Sequence, residues 1–157
     1  MKIKDVIGSV KNGKKVCVSF DFEHDKQYYY LMKAWNSNPD FEFTFNDMTT
    51  KEIRSESVST VKNVLSRKIG EANYMVAIIG SHSHELHPDR KEIGYSNWQA
   101  YEIAVNHRKG NGLVCVYLDL HSKLPSDVKN LSAEFVYSFN EKGIIAALNK
   151  LCSNRWC

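Results

Sequence analysis

The sequence predicts an α/β fold, a doubly wound parallel sheet of about five strands, on three observations. Strand-like and helix-like stretches alternate along the chain, the order that builds a sheet covered on both faces. Two runs, Tyr74-Met75-Val76-Ala77-Ile78-Ile79 and Leu113-Val114-Cys115-Val116-Tyr117-Leu118, are almost continuously apolar, as central strands buried on both sides must be. Polar residues follow the strands, and open parallel sheets bind ligands beyond their carboxyl ends. A length of 157 residues suits one domain with one full core, about 14–150, behind an N-terminal arm at 1–13.

Each element has its own signal. Residues 1–13 carry a short amphipathic piece, Val6-Ile7 and Val10, closed by an Asn12-Gly13 turn. In Lys15-Val16-Cys17-Val18-Ser19-Phe20, Val16, Val18 and Phe20 alternate with Cys17 and Ser19, a first strand ending in a polar loop, Asp21 to Asp25. Asp25 is expected to cap the next helix, whose face is Tyr28, Leu31, Met32 and Trp35. Pro39 ends that helix, because the residue before a proline avoids the helical region. Phe41, Phe43 and Phe45 alternate with Glu42 and Thr44 as the second strand, with Asn46-Asp47 following it.

After a polar loop at 48–57, Val58, Val61, Leu65 and Ile69 mark a helix expected from Glu56 to about Gly70. The run at 74–79 is the third strand, stopped by Gly80-Ser81. A long polar loop, 81–94, leads to a helix over Trp98 to about His107, broken by Gly110 and Gly112. The fourth strand follows. Phe135-Val136-Tyr137 is a short edge strand, and Ile144 to Leu151 a closing helix.

Composition excludes several classes. Net charge is only +3, and the excess sits in Lys2, Lys4, Lys11, Lys14 and Lys15, a basic arm with no later counterpart, so no nucleic-acid partner is expected. No signal peptide and no run long and apolar enough for a membrane span is present, so a cytoplasmic protein is expected. Cys17, Cys115, Cys152 and Cys157 lack C-x-x-C spacing and are read as reduced thiols.

The segment Ser96-Asn97-Trp98-Gln99-Ala100-Tyr101-Glu102 is the centre of interest. On a helix Trp98 and Glu102 share a face, an aromatic ring one turn from a carboxylate. A carboxylate at the rim of a packed stripe is out of place unless water or a ligand reaches it. Glu102 is therefore read as the reacting group of a pocket, with Trp98 in its wall. Asp21, Asn46, Asp47 and Ser81 belong to the same carboxyl edge. The turn after the first strand has no glycine, which excludes a Rossmann dinucleotide site and a P-loop. Gly80-Ser81 stands where a phospho-accepting receiver needs an aspartate. His82, His84 and His87 suggest zinc, but they lie in a proline-containing loop without cysteine, so no metal is expected.

As an ordered set, Ser19-Phe20-Asp21-Phe22-Glu23-His24-Asp25, Tyr30-Leu31, Ala34-Trp35, Phe41-Glu42-Phe43, Phe45-Asn46-Asp47, Ser96-Asn97-Trp98 and Tyr101-Glu102-Ile103 resemble the TIR-like domain of the Thoeris anti-phage protein ThsB. The resemblance covers about residues 14–120. It implies a flavodoxin-like, TIR-like three-layer sandwich and cleavage of NAD, with a cyclic ADP-ribose-type signal as product. Glu102 corresponds to that family's catalytic glutamate. NAD is then substrate, with no other cofactor. Phe22 and Trp98 would stack on the cationic nicotinamide, while Asp21, Asn46 and Ser81 would hydrogen-bond sugar or phosphate. Self-association through TIR–TIR contacts and a downstream effector sensing the nucleotide are implied as well. The alternatives are a non-catalytic TIR-like scaffold and an N-glycosidic enzyme such as a nucleoside deoxyribosyltransferase.

Overall fold

Strands β1 (Lys14–Ser19), β2 (Phe43–Asp47), β3 (Tyr74–Ile79), β4 (Gly112–Tyr117) and β5 (Glu134–Val136) form one sheet in the order β2-β1-β3-β4-β5. Every pairing is parallel, with Val16 opposite both Phe45 and Tyr74, and Ala77 opposite both Ser19 and Cys115. This is a computed structural model, and it describes residues 14–38, 40–47 and 57–153. The expectations for the arm at 1–13 and for most of the loop at 48–57 fall outside them.

The helices are α1 (Phe22–Ala34), α2 (Val58–Gly70), a single turn α3 (Arg90–Ile93), α4 (Trp98–Arg108) and α5 (Glu141–Ser153). Period-two alternation sorts each strand's side chains between two cores. Val16, Val18, Val76, Ile78, Val114 and Val116 meet Tyr29 and Met32 of α1 and Ile144 and Leu148 of α5. Cys17, Met75, Ala77, Ile79, Leu113 and Cys115 meet Val61, Leu65 and Ile69 of α2 and Ile103 and Val105 of α4. The result is the three-layer α/β sandwich expected.

Three boundaries differ from expectation. Helix α1 starts at Phe22, separated from β1 only by Phe20 and Asp21, so the expected loop over 21–25 does not form. Asp21, not Asp25, is the cap: its Oδ1 accepts from the Glu23 N–H at 3.0 Å. Asp25 is thereby carried one turn into the helix and buried. Strand β2 runs later than expected and includes Asn46 and Asp47, which were expected to follow it. Asn36 sets this register: its Oδ1 accepts from the Phe45 N–H at 2.8 Å, and its Nδ2 donates to the Phe45 carbonyl at 2.9 Å. One side chain thus does for edge strand β2 what a neighbouring strand would do. Helix α2 begins at Val58 because Ser57 caps it, accepting from the Thr60 N–H.

The cysteine expectation holds in part. Cys17 and Cys115 are free and buried, and burial pushes the Cys115 thiol up to about 12. Cys17 is driven higher still, by burial first and then by the charge of Glu102. Cys152 departs from expectation, for it is disulfide-bonded. It lies on the last turn of α5. No helix among the described residues is long and apolar enough to cross a membrane.

Asn36→Ala leaves the Phe45 amide and carbonyl without their partner. It is expected to lower stability by about 1–2 kcal/mol in urea unfolding; an unchanged midpoint would show that water replaces both bonds at no cost.

Candidate active site

The chain leaves β1 towards β2 on one side and returns through β3 to β4 on the other. The carboxyl ends of β1 and β3 therefore part at a topological switch point, where a crevice must open. Helix α4 enters there. Asn97 caps it, its Oδ1 accepting from the Ala100 N–H at 2.9 Å, and its Nδ2 donates to the Ser83 and Glu85 carbonyls, each at 2.8 Å. Gln99 then spans the fork: its Nε2 donates to the Ile78 carbonyl at 2.8 Å and to the Ser19 carbonyl at 3.2 Å. These are carbonyls at the ends of β3 and β1, left over where the two strands stop pairing.

Trp98 to Asn106 are all buried, so α4 has no solvated face. Gln99, Glu102 and Asn106, at 0, +3 and +7, form a polar stripe against the sheet. Gln99 meets β1 and β3, Glu102 is felt electrostatically by Cys17 of β1, and Asn106 donates to the Gly112 carbonyl of β4 at 3.2 Å. The carboxylate in that stripe is 7 % exposed, an uncommon placement for an acid.

Above the fork lies a cavity of about 360 Å³. Phe20, Asp21, Glu23 and His24 form one wall, the loop from His82 to Pro88 another, and Asn97, Trp98 and Gln99 the floor side. The Trp98 indole meets the Tyr101 ring edge-on at 5.8 Å and His87 at 6.3 Å, which fixes its plane. Three carboxylates, from Asp21, Glu23 and Glu85, make the cavity electronegative. His24 and His82 stack at the mouth, 3.6 Å between centroids and 10° from parallel. Each turns Nδ1 to an acid: His24 to Asp21 Oδ2 at 2.8 Å and His82 to Glu85 Oε1 at 2.6 Å. The bond from Asp21 raises the His24 pKa.

Asp25 lies beneath this pair, against Gly80. A Cβ on Gly80 would stand 2.9 Å from Asp25 Oδ1 and closer still to Oδ2. Oδ2 has no hydrogen-bond partner. Burial first, and then the charges of Asp21 and Asp119, push its pKa up to about 6, against the opposing pull of His24 and His82.

Of the residues expected at the site, Asp21 and Trp98 line the cavity. Glu102 lies one turn along α4 from Trp98, buried behind the wall. Phe22 packs instead on Phe20, 6.2 Å between rings, with the Lys26 ammonium 5.5 Å from its own ring. Asn46 and Asp47 end β2, opposite Cys17 and Val18, on the far side of β1 from the fork. Ser81 is exposed and outside the wall. Ser83 takes its place, because its Oγ accepts from the Gly80 N–H at 2.9 Å and folds the turn inward. His82, His84 and His87 do not converge: the first and last line the cavity, His84 is exposed, and no metal-holding group of three such residues occurs among those described.

The residues missed were His24, His82, Ser83, Glu85, Asn97 and Gln99. Asn97 had a readable signal, a capping residue directly before a helix. The pairing of His24 with His82 had none, for the two are brought together only by the β1–β3 fork.

Comparison with known proteins bears on the same edge. The family model for the TIR-like domain of Thoeris protein ThsB matches residues 17–123. No curated protein matches the sequence. Among solved structures, a 2-desoxiribosyltransferase from Leishmania mexicana superposes with a TM-score of 0.54 at 12 % identity, covering 91 % of this chain and 99 % of that one. At that identity the likeness is one of fold, and it agrees with the flavodoxin-like arrangement of the sheet.

Two stability effects follow from Asp25. Its folded pKa is above the ordinary value, so the folded state holds its proton longer, and stability falls between about pH 4 and pH 6 as the unfolded chain ionises first. Asp25→Asn removes that loss: the variant is expected to match wild type below pH 4 and exceed it by about 1–3 kcal/mol at pH 8. A constant gap across that range in denaturant titrations would contradict the burial of a charge here. Gly80→Ala is expected to destabilise by about 1–3 kcal/mol through overpacking, and by clearly less when combined with Asp25→Ala; simple additivity of the two would contradict the contact.

Proposed function

The chain belongs to the TIR-like domain family of Thoeris protein ThsB, and on that premise we propose that it cleaves NAD at the nicotinamide–ribose bond, making a cyclic ADP-ribose-type signal in anti-phage defence. The observation that carries this reading is the acid-lined cavity at the β1–β3 fork, with Trp98 in its wall and Glu102 one turn away on the same buried helix.

The chemistry suits the residues. Nicotinamide in NAD is a cationic ring, and it leaves as a neutral base. An electronegative cavity of about 360 Å³ with an indole in its wall favours such a ring by charge and by cation–π contact. As the bond breaks, positive charge moves from the ring to the ribose, towards an oxocarbenium ion. A carboxylate fixed beside the ribose stabilises that charge more than it stabilises the ground state, which is what accelerates the step. In this reading Glu102 is that carboxylate, acting on the ribose from behind the cavity wall. Its setting in a helix packed on every side holds its direction before substrate arrives, so little reorganisation is needed at the moment of reaction. Asp21 would accept hydrogen bonds from ribose hydroxyls at the rim, and Asn46, Asp47 and Phe22 are left to the adenosine half or to structure. NAD enters as substrate, with no further cofactor.

Capture of the ribosyl cation by a hydroxyl of the same molecule, in place of water, needs a closed site. Self-association through TIR–TIR contacts would close the open side of the cavity, and a nucleotide-sensing effector would receive the product. A second reading has an observation in its favour: a deoxyribosyl-transferring enzyme has the same arrangement over nearly its whole length, so nucleosides are the alternative substrate class. The non-catalytic scaffold is the third.

Glu102→Gln keeps the shape and removes the charge. It is expected to fold with near wild-type stability and to lose about 100-fold or more of nicotinamide release from NAD, measured by chromatography on protein isolated from phage-infected cells. Wild-type protein releasing nucleobases from nucleosides but no nicotinamide from NAD would select the transferase reading. Release by neither would select the scaffold.

A further inference from the structure

The stacked histidines at the cavity mouth have no part in the step just described. Loss of nicotinamide needs no proton, because the ring departs neutral. The second half of the reaction does need one moved: whatever hydroxyl attacks the ribosyl cation must lose its hydrogen. We infer that His24, oriented by Asp21, is the general base that takes this proton, and that His82 holds its ring in place. The inference rests on the proposed cleavage of NAD.

The geometry argues for it in four steps. An ionised carboxylate only accepts hydrogen bonds, so Asp21 Oδ2, 2.8 Å from His24 Nδ1, selects the tautomer with hydrogen on Nδ1. The lone pair is then on Nε2, the other edge of a ring that lines the cavity. Asp21 cannot swing freely, because its other oxygen caps α1 by accepting from the Glu23 N–H at 3.0 Å. His82 lies flat against the ring at 3.6 Å and is itself tethered to Glu85, so tilting of the His24 ring towards His82 is opposed. A carboxylate, an oriented imidazole and a bound hydroxyl form the arrangement by which bases are aimed in unrelated hydrolases.

Between the two partnered histidines, His24 has the firmer support. Asp21 is 22 % exposed and fixed by the helix it caps, whereas Glu85 is 58 % exposed. The groups facing the pair are Asp21, Glu23 and Asp25 from α1, Glu85 and His87 from the loop after β3, and Asp119 after β4 through its effect on Asp25. Acids dominate, which favours the imidazolium that forms when the base has taken its proton.

The bond from ribose C1″ to the nicotinamide nitrogen breaks, and its electron pair leaves with nicotinamide. The hydroxyl oxygen, from water or from the ADP-ribose moiety itself, bonds to C1″. Its proton passes to His24 Nε2, while Nδ1–H stays on the bond to Asp21. The imidazolium then gives its new proton to solvent.

A pyridine nucleophile separates this role from all others, because its attacking nitrogen carries no proton. Active protein is supplied with NAD and an excess of a substituted pyridine. Two products are measured: those trapped by a hydroxyl, and NAD in which the pyridine has replaced nicotinamide. In His24→Gln the hydroxyl-trapped products are expected to fall by about 100-fold, the usual worth of a positioned base, while pyridine exchange stays within a few-fold of wild type. The fall of the hydroxyl-trapped rate at acid pH, set by a His24 pKa above the ordinary histidine value, is expected to disappear in His24→Gln and to persist in Asp25→Asn. Loss of both products together in a folded His24→Gln, or of neither, overturns the assignment. A loss in His82→Phe as deep as in His24→Gln would transfer the base to His82 and overturn it as well. Wild-type protein that makes neither product overturns the NAD reading itself, a result distinct from each of the others.

Discussion

One amide holds the working edge of this molecule together. Where β1 and β3 stop pairing, the Ser19 and Ile78 carbonyls lose their strand partners, and both accept from Gln99 Nε2. Buried carbonyls need partners, and a doubly wound sheet necessarily frees some at its switch point. Satisfying them from α4, and not from water, docks the start of that helix into the crevice. Trp98 then becomes a wall of the cavity and Glu102 is buried one turn further in. The two ends of the fork and the helix above them thus behave as one rigid corner, against which loops can vary.

Around that corner the chain keeps acids in places that cost stability. Asp25 is pressed against Gly80 with one oxygen unpartnered, and its pKa is raised to about 6 because burial disfavours its charge. Glu102 sits in a helix that has no solvated side. The placement of Asp25 does not help the fold, since a neutral amide of the same shape would fit with less penalty. Sites that handle charge concentrate such costs, because a field prepared in the folded state is what stabilises a developing cation. The stacked imidazoles belong to the same economy: each is useful only while its carboxylate and its neighbour hold it still.

The sheet was legible in the sequence because its signals are local. Unbroken apolar runs at 74–79 and 113–118 announced β3 and β4, and alternation announced β1 and the edge strands. Boundaries set by a single side chain were not legible. Asn36 shifts β2 through two bonds to Phe45, and Asp21 starts α1 a turn sooner than Asp25 would have. Helix α4 shows the limit most clearly. Trp98 and Glu102 were readable as one face, but nothing local showed that Gln99, Glu102 and Asn106 together form the face turned to the sheet. Period alone cannot say which polar stripe meets water. Likewise the His-rich loop stood out in the sequence without its contact: His82 has its partner in His24, fifty-eight residues earlier, and the pair exists only once β1 and β3 lie side by side.

The proposed cleavage puts the attack on the ribose of NAD in the crevice between β1 and β3. The most direct measurement is a crystal structure with an NAD analogue whose nicotinamide–ribose linkage cannot break. The nicotinamide ring is expected against Trp98, the ribose anomeric carbon facing Glu102, and a ribose hydroxyl or ordered water within reach of His24 Nε2. An analogue seated elsewhere on the fold, with the fork empty, would contradict it.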